Sequence, residues 1–375
     1  MRVLIYGVNS QNKGAQLLLA AASKRLIAMG HVPVVSARDV AREARHAAGA
    51  VGMFSVERLG PLRSIGLDVL PRSLAGKLPV AGDAGFDYVL DASGFSLTDA
   101  WGMAPVTSRA SRLARWTARG TGFAMLPQAF GPFSSPEMRN GVSQILAYAD
   151  RVWARDRASL GYLTELHSRG PEISVAPDIT IGHAVVESSS AAAGAVVLVP
   201  NWNLATRSGA DGKQSYLAAL SDIASDLVRR GQPVLGLSHE GKRDFDLIAA
   251  VAERVPGMRI ASPATGTEAK AVLAKADLVI AGRYHALVSA LSSCVPVIAH
   301  SWSHKYASLM GDFEVADGLA DPLSAASTLE RIDALDLPSE RARLAAVKPE
   351  VVARVDVVWS EVAELIAAHG TRISG

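Results

Sequence analysis

The sequence predicts an α/β protein of two Rossmann-like domains facing a cleft. Three observations carry that expectation. Short apolar, β-branched runs alternate along the chain with longer Ala-, Leu- and Arg-rich stretches of helical period, the pattern of βα units and a parallel sheet. The chain has 375 residues and 49% hydrophobic content, more than one core usually serves, so two domains are expected. Near the middle, Glu187-Ser188-Ser189-Ser190-Ala191-Ala192-Ala193-Gly194 offers only small and polar side chains, which cannot pack a core and suit a hinge. The expected division is an N-terminal domain over 1–186, a linker over 187–194 and a C-terminal domain over 195–375.

Taken in order, the N-terminal domain opens on the strand Val3-Leu4-Ile5-Tyr6, with a helix beginning near Ala15. Its further strands are read at 32–35, 88–91, 123–126, 151–154 and 173–175. The C-terminal strands are read at 196–199, 234–237, 259–261, 278–280 and 295–298, with a helix over Ala286 to Ser293. The Ala-rich stretches near 20–22 and 325–326 read as helix-packing surface. The apolar period from Val351 to Ala368 makes a terminal helix that could join either domain.

The mixture of 38 basic and 36 acidic side chains, net +2, leaves no single-sign field and argues against a nucleic-acid partner. The apolar run after Met1 is too short for a signal peptide, and no run reaches the length of a membrane span. Cys294 is the only cysteine, which excludes an intramolecular disulfide and a cysteine-built zinc site. No Asp/His cluster has metal-ligand spacing. A cytoplasmic protein without a bound metal or cofactor is expected.

In open parallel sheets, ligands bind beyond the carboxyl ends of the strands, so the residues there are the ones to collect. The first half gives the loop Gly7 to Gln16, then Ser93, Gln128, and Arg155-Asp156-Arg157. The second half gives Asn201-Trp202, Ser238-His239-Glu240, Gly282-Arg283-Tyr284-His285, and His300 to Lys305. Four of the nine histidines, one lysine and one arginine thus fall at one end of the second set of strands. Arg283 and His285 stand where a buried strand becomes a helix. Unpaired N–H groups and the positive end of the helix dipole favour an anion there, and a guanidinium adds a fixed fork. Alternatively, Arg283 pairs with a local carboxylate and His285 merely begins the helix. The loop at Gly7 lacks both G-x-G-x-x-G and the P-loop pattern, and its Asn9, Gln11, Asn12 and Lys13 suit hydroxyl-rich ligands. Of the tryptophans, Trp202 and Trp302 fall at strand ends, where they could line a sugar site.

These segments together resemble the polysaccharide pyruvyl transferases. Asn12-Lys13-Gly14-Ala15-Gln16 is similar to the family's N-x-G-[AD]-[EQ] loop, and Pro127-Gln128-Ala129-Phe130-Gly131-Pro132-Phe133 to its P-Q-x-x-G-P-F stretch. Arg155-Asp156-Arg157-Ala158-Ser159 resembles R-[DE]-x-x-S, Pro177-Asp178 resembles P-D, and Arg283-Tyr284-His285-Ala286 resembles R-[LYF]-H-A. The likeness runs over about residues 3 to 312. It implies the two-domain fold of GT-B type glycosyltransferases and transfer of the enolpyruvyl unit of phosphoenolpyruvate to a sugar, glycolipid or polysaccharide hydroxyl. It also implies that Arg283 and His285 are the donor-site arginine and histidine and that Lys305 is a basic residue on the following turn. The arginine that some members carry after the first C-terminal strand is displaced here to Arg207 or missing.

Phosphoenolpyruvate carries a carboxylate and a phosphate, so its site needs several cations or helix N-termini. A histidine titrating near neutrality suits the general acid, and Asp156 or Asp178 the base that deprotonates the hydroxyl. The candidate catalytic residues are therefore His285, Asp156 and Asp178. Candidates for binding are Arg283, Tyr284, Lys305, His239, Arg207, Asn201, Asn12, Lys13, Gln16, Ser93 and Gln128. Two other readings share the pattern: a nucleotide-sugar glycosyltransferase, and a non-catalytic glycan- or anion-binding protein.

Overall fold

The computed structural model describes residues 1–53, 85–166, 170–185, 191–207, 209, 211–301 and 304–374. Two compact units divide the chain. The first comprises 1–10, 18–179 and 354–375; the second comprises 11–17 and 180–353.

In the first unit the strands are β1 (Arg2–Tyr6), β2 (Val32–Ser36), β3 (Val51–Met53), β4 (Tyr88–Asp91), β5 (Gly122–Gln128), β6 (Arg151–Ala154) and β7 (Glu172–Val175). They form one parallel sheet in the order β3-β2-β1-β4-β5-β6-β7. In the second unit β8 (Val196–Val199), β9 (Val234–Leu237), β10 (Arg259–Ala261), β11 (Leu278–Ala281), β12 (Val297–His300) and β13 (Leu319–Ala320) form a parallel sheet ordered β10-β9-β8-β11-β12-β13. Central strands such as β4, β8 and β11 are buried at every residue, because helices cover both faces of a parallel sheet. That burial is why their sequences are continuous apolar runs and do not alternate.

Most expected strands are found within a residue or two of the positions read from sequence. The strand expected at 295–298 begins instead at Val297, after Pro296, which has no N–H to give to a ladder. Two strands, β3 and β13, lie at sheet edges and are too short to carry a pattern of their own.

The units differ from the expected division of 1–186 and 195–375 in two respects. Residues 11–17, at the start of the helix Lys13–Ala28, group with the second unit. The terminal helix runs over Leu337–Ser374, through Pro349, and its last part belongs to the first unit. There Val355, Val358, Trp359, Val362 and Ile366 are buried. Glu361 accepts from Arg151 Nε at 2.9 Å and from Trp153 Nε1 at 3.1 Å, tying the helix to β6. Of the expected linker, Glu187 to Ser190 lie outside the described residues, while Ala191 to Gly194 form a turn. Among the described residues, no helix is long and apolar enough to cross a membrane.

Candidate functional site

In the second sheet the chain leaves β8 toward β9 and later returns to β11 on the other side of β8, so β8 and β11 flank the point where strand order reverses. Such a point opens a crevice at the carboxyl ends. Gly282, just past β11, has no room for a side chain: a Cβ would lie 2.9 Å from Asn201 Cβ and 3.1 Å from Tyr216 Oη. Its carbonyl accepts from Asn201 Nδ2 at 2.6 Å and from Tyr306 Oη at 2.7 Å, which fixes the turn.

Arg283 follows in extended conformation as the N-cap of the helix Tyr284–Leu291. Of the two readings open for its side chain, the structure shows carboxylate pairing. Nε and Nη2 fork onto Asp244 at 2.7 and 2.5 Å, and Nη1 pairs with Glu240. Asp244, in the first turn of the helix Gly241–Arg254, is fully buried and also accepts the backbone N–H of Trp202 at 3.0 Å and of Glu240 at 3.1 Å. Burial pushes the Asp244 carboxyl up to about 7 and the Arg283 guanidinium down to about 10. The two-pronged pair acts against both shifts and favours both charged forms.

The loop of residues 11–17 brings the remaining groups. Asn12 Oδ1 accepts from the N–H of Gly14 at 2.8 Å, Asn12 Nδ2 donates to Glu240 Oε1 at 3.0 Å, and Gln16 Oε1 accepts from the N–H of Gly266 at 2.7 Å. At Gly14 a Cβ would fall 2.2 Å from His285 Nδ1, so only glycine lets the loop approach the histidine. Lys13 is 9% exposed, and its ammonium makes no hydrogen bond or ion pair among the described residues. Burial lowers its pKa, and the charges of Asp244 and Glu268 counter that. His239, after β9, is 2% exposed with Nε2 unpartnered among the described residues. Burial first, then the positive charge of His285, Arg283 and Lys13, drives its pKa well below the usual value and keeps the imidazole neutral. Tyr284 stands edge-on to His285, with ring centroids 5.5 Å apart. Lys305, 8% exposed, holds its ammonium 5.5 Å from the Tyr284 ring and 5.6 Å from the Tyr306 ring.

The structure thus gathers Asn12, Lys13, His239, Arg283, Tyr284 and His285 in one unit, with Lys305 against Tyr284 and Asn201 buttressing the turn. Arg207 ends the helix Trp202–Arg207, and its side chain lies outside the described portion. Trp302 is likewise outside the described residues. His300 is packed away: it is 1% exposed, bonds Thr328 Oγ1 at 3.0 Å, and is lowered by burial to about 4.

The other candidates lie in the first unit, Ser93 and Gln128 beside its own reversal point between β1 and β4, and Asp156 and Asp178 after β6 and β7. Ser93 Oγ donates to Asp91 Oδ1 at 2.5 Å and accepts from Arg109 Nη2 at 2.9 Å, while Gln128 Nε2 donates to the Asp91 carbonyl at 3.3 Å. Asp178 is buried against Arg155 Nη1 at 2.7 Å, and Asp156 Oδ1 accepts from the Ser159 N–H at 2.6 Å at the start of the helix Arg157–Leu166. Sequence reasoning collected Glu240 only as part of the strand end Ser238-His239-Glu240 and did not single out Asp244 or Arg109. The signal available for Asp244 was a lone acidic residue in the first turn of a helix beside a strand-end arginine.

Two doubly wound parallel sheets with polar loops at their reversal points give the chain a GT-B-like fold. The chain is similar to a UDP-GlcNAc 2-epimerase from Neisseria meningitidis, with a TM-score of 0.62, 10% identity, and coverage of 97% of this chain and 100% of that one. It is also similar to a glycosyltransferase from Rickettsia africae, with a TM-score of 0.60, 13% identity and 98% of each chain covered. At such identities the likeness is one of fold alone. No curated protein matches the sequence. Residues 12–304 match the polysaccharide pyruvyl transferase family, and the chain belongs to it.

Proposed function

We propose that this protein transfers the pyruvyl group of phosphoenolpyruvate to hydroxyls of a sugar-containing acceptor, forming a pyruvate ketal and releasing phosphate. The observation that carries the reading is the largely enclosed cluster of basic side chains at the start of the helix Tyr284–Leu291. Lys13, His239, Arg283 and His285 meet there, and neither the Lys13 ammonium nor His239 Nε2 has a partner among the described residues. A buried ammonium and a buried imidazole nitrogen without partners are costly unless a ligand meets them, and the basic side chains around them suit a ligand with two anionic groups.

In the reaction, His285 gives a proton to the methylene carbon, a sugar hydroxyl oxygen bonds to C2, and the C2–O bond to phosphate breaks. A second hydroxyl oxygen closes the ketal, and of the two hydroxyl protons released one re-protonates His285 and one leaves with phosphate. Lys13 and the helix N-terminus stabilise the departing phosphate. Asp156 and Asp178 are engaged with Ser159 and Arg155, so no step here is assigned to either. Ser93 and Gln128, beside the reversal point of the first sheet, are the proposed acceptor contacts of the first unit.

Incubation of the full chain with phosphoenolpyruvate and a panel of glycosides, read by product mass and phosphate release, tests the proposal. A pyruvylated product with stoichiometric phosphate supports it. UDP release from a nucleotide sugar would instead establish a glycosyltransferase, and binding of ligands without turnover would leave a glycan- or anion-binding protein.

A further inference from the structure

Three N–H donors of Arg283 are already spoken for, yet its two carboxylate partners are not equivalent. Asp244 is fully buried and has four donors. Glu240 keeps 32% of its side chain exposed and is held by Arg283 Nη1 and by Asn12 Nδ2 at 3.0 Å. Asp244 is therefore a permanent anchor of the guanidinium. The corner of Arg283 that a ligand can reach is the one on which Glu240 sits.

We propose that Glu240 is the specificity-determining residue of this anion site: a resident carboxylate that occupies the ligand's place on Arg283 and leaves, releasing Asn12, when an anion binds. The inference rests on the donor-site reading above for which anion is used, although the displacement itself concerns any anion. A single small anion recovers the Arg283 contact and little else. A ligand bearing both carboxylate and phosphate also reaches Lys13, His239 and His285, so displacement favours the larger dianionic species over simple anions. The same carboxylate links residues 11–17 to Arg283, because Asn12 lies opposite Glu240 in a short antiparallel bridge. Occupancy of the site is thereby transmitted to the loop that carries Lys13.

The test uses full-length wild type, Glu240→Gln and Glu240→Asp, titrated calorimetrically with inorganic phosphate and with phosphoenolpyruvate. The Asn12 side-chain amide is followed by nuclear magnetic resonance. Removing the competing charge should tighten phosphate binding about tenfold and narrow the preference for phosphoenolpyruvate over phosphate, with Glu240→Asp in between. In wild type, saturation with phosphoenolpyruvate should shift the Asn12 amide signal as its bond to Glu240 breaks. Weaker or unchanged phosphate binding in Glu240→Gln overturns the proposal. So does tighter binding without movement of the wild-type Asn12 signal, since Glu240 would then act as a fixed charge. If phosphate binds as described and moves the Asn12 signal while phosphoenolpyruvate binds to none of the proteins, the displacement stands and the donor reading falls.

Discussion

Replacing Arg283 with Ala would do more than weaken an anion site. Among the described residues the guanidinium is the only cation forked onto Asp244, which is fully buried and there keeps only the N–H groups of Trp202 and Glu240 once the arginine is gone. Stripping one partner from a buried ion pair destabilises by about 3–5 kcal/mol. At about 2–4 °C per kcal/mol for a unit of this size, the melting temperature should fall by about 6–20 °C at pH 8. The pH dependence has a definite sign. Burial raises the Asp244 carboxyl to about 7, above its value in the unfolded chain, and loss of the arginine raises it further. A carboxyl raised on folding takes up protons in the native state, so its penalty is absent at low pH and grows as pH climbs toward the folded value. The deficit of Arg283→Ala relative to wild type should thus be smaller at pH 5 than at pH 8, as scanning calorimetry at the two pH values can measure. A melting temperature within about 2 °C of wild type at pH 8 would refute the buried-pair argument, as would a larger deficit at pH 5.

Other consequences are as definite. His285→Ala should lower turnover about 10²-fold or more with a smaller change in donor affinity, if His285 supplies the proton; steady-state kinetics separate the two effects. Gly14→Ala places a methyl group where a Cβ meets His285 Nδ1 at 2.2 Å, so the ring must move and turnover should fall more than about tenfold. Gly311→Ala, in the helix His304–Asp312 with nothing within 4 Å of the new methyl, should raise stability by about 0.5–1 kcal/mol and serves as the control. In the first unit, Arg155→Ala leaves Asp178 buried without its cation and should cost about 3–5 kcal/mol in urea unfolding.

Much of this arrangement was legible in the amino-acid order because burial and chain direction write themselves into it. Val196 to Val199 and Leu278 to Ala281 could be read as central strands, since a strand covered on both faces must be apolar throughout. Knowing the strand ends was enough to collect Lys13, His239, Arg283 and His285. What the sequence hid was pairing between distant residues. Nothing near Arg283 in the chain announces its pairing with Asp244 or Glu240, since two helices and two strands lie between Glu240 and Arg283. His300 looked like a member of the cluster because it also ends a strand, but on β12 it faces Thr328 in the interior. The terminal helix resisted division because one continuous helix serves two cores, and no break in its pattern marks where residue 353 ends one unit and 354 begins the other.

That neither unit is a continuous segment has a consequence for biosynthesis. As the chain leaves the ribosome, Lys13 emerges near the start and must wait for the strand and helix around Arg283 and His285 before its neighbours exist. The first unit, whose seven strands are all made by residue 175, lacks the apolar face of residues 354–374 until that helix has been synthesised. A chain stopped before residue 354 therefore leaves the β6 side of the first unit without its helix, although every residue of the anion cluster in the second unit has been made. Cutting the chain between residues 353 and 354 should therefore destabilise the first unit more than the second, because the buried side chains Val355, Val358, Trp359, Val362 and Ile366 belong to the first.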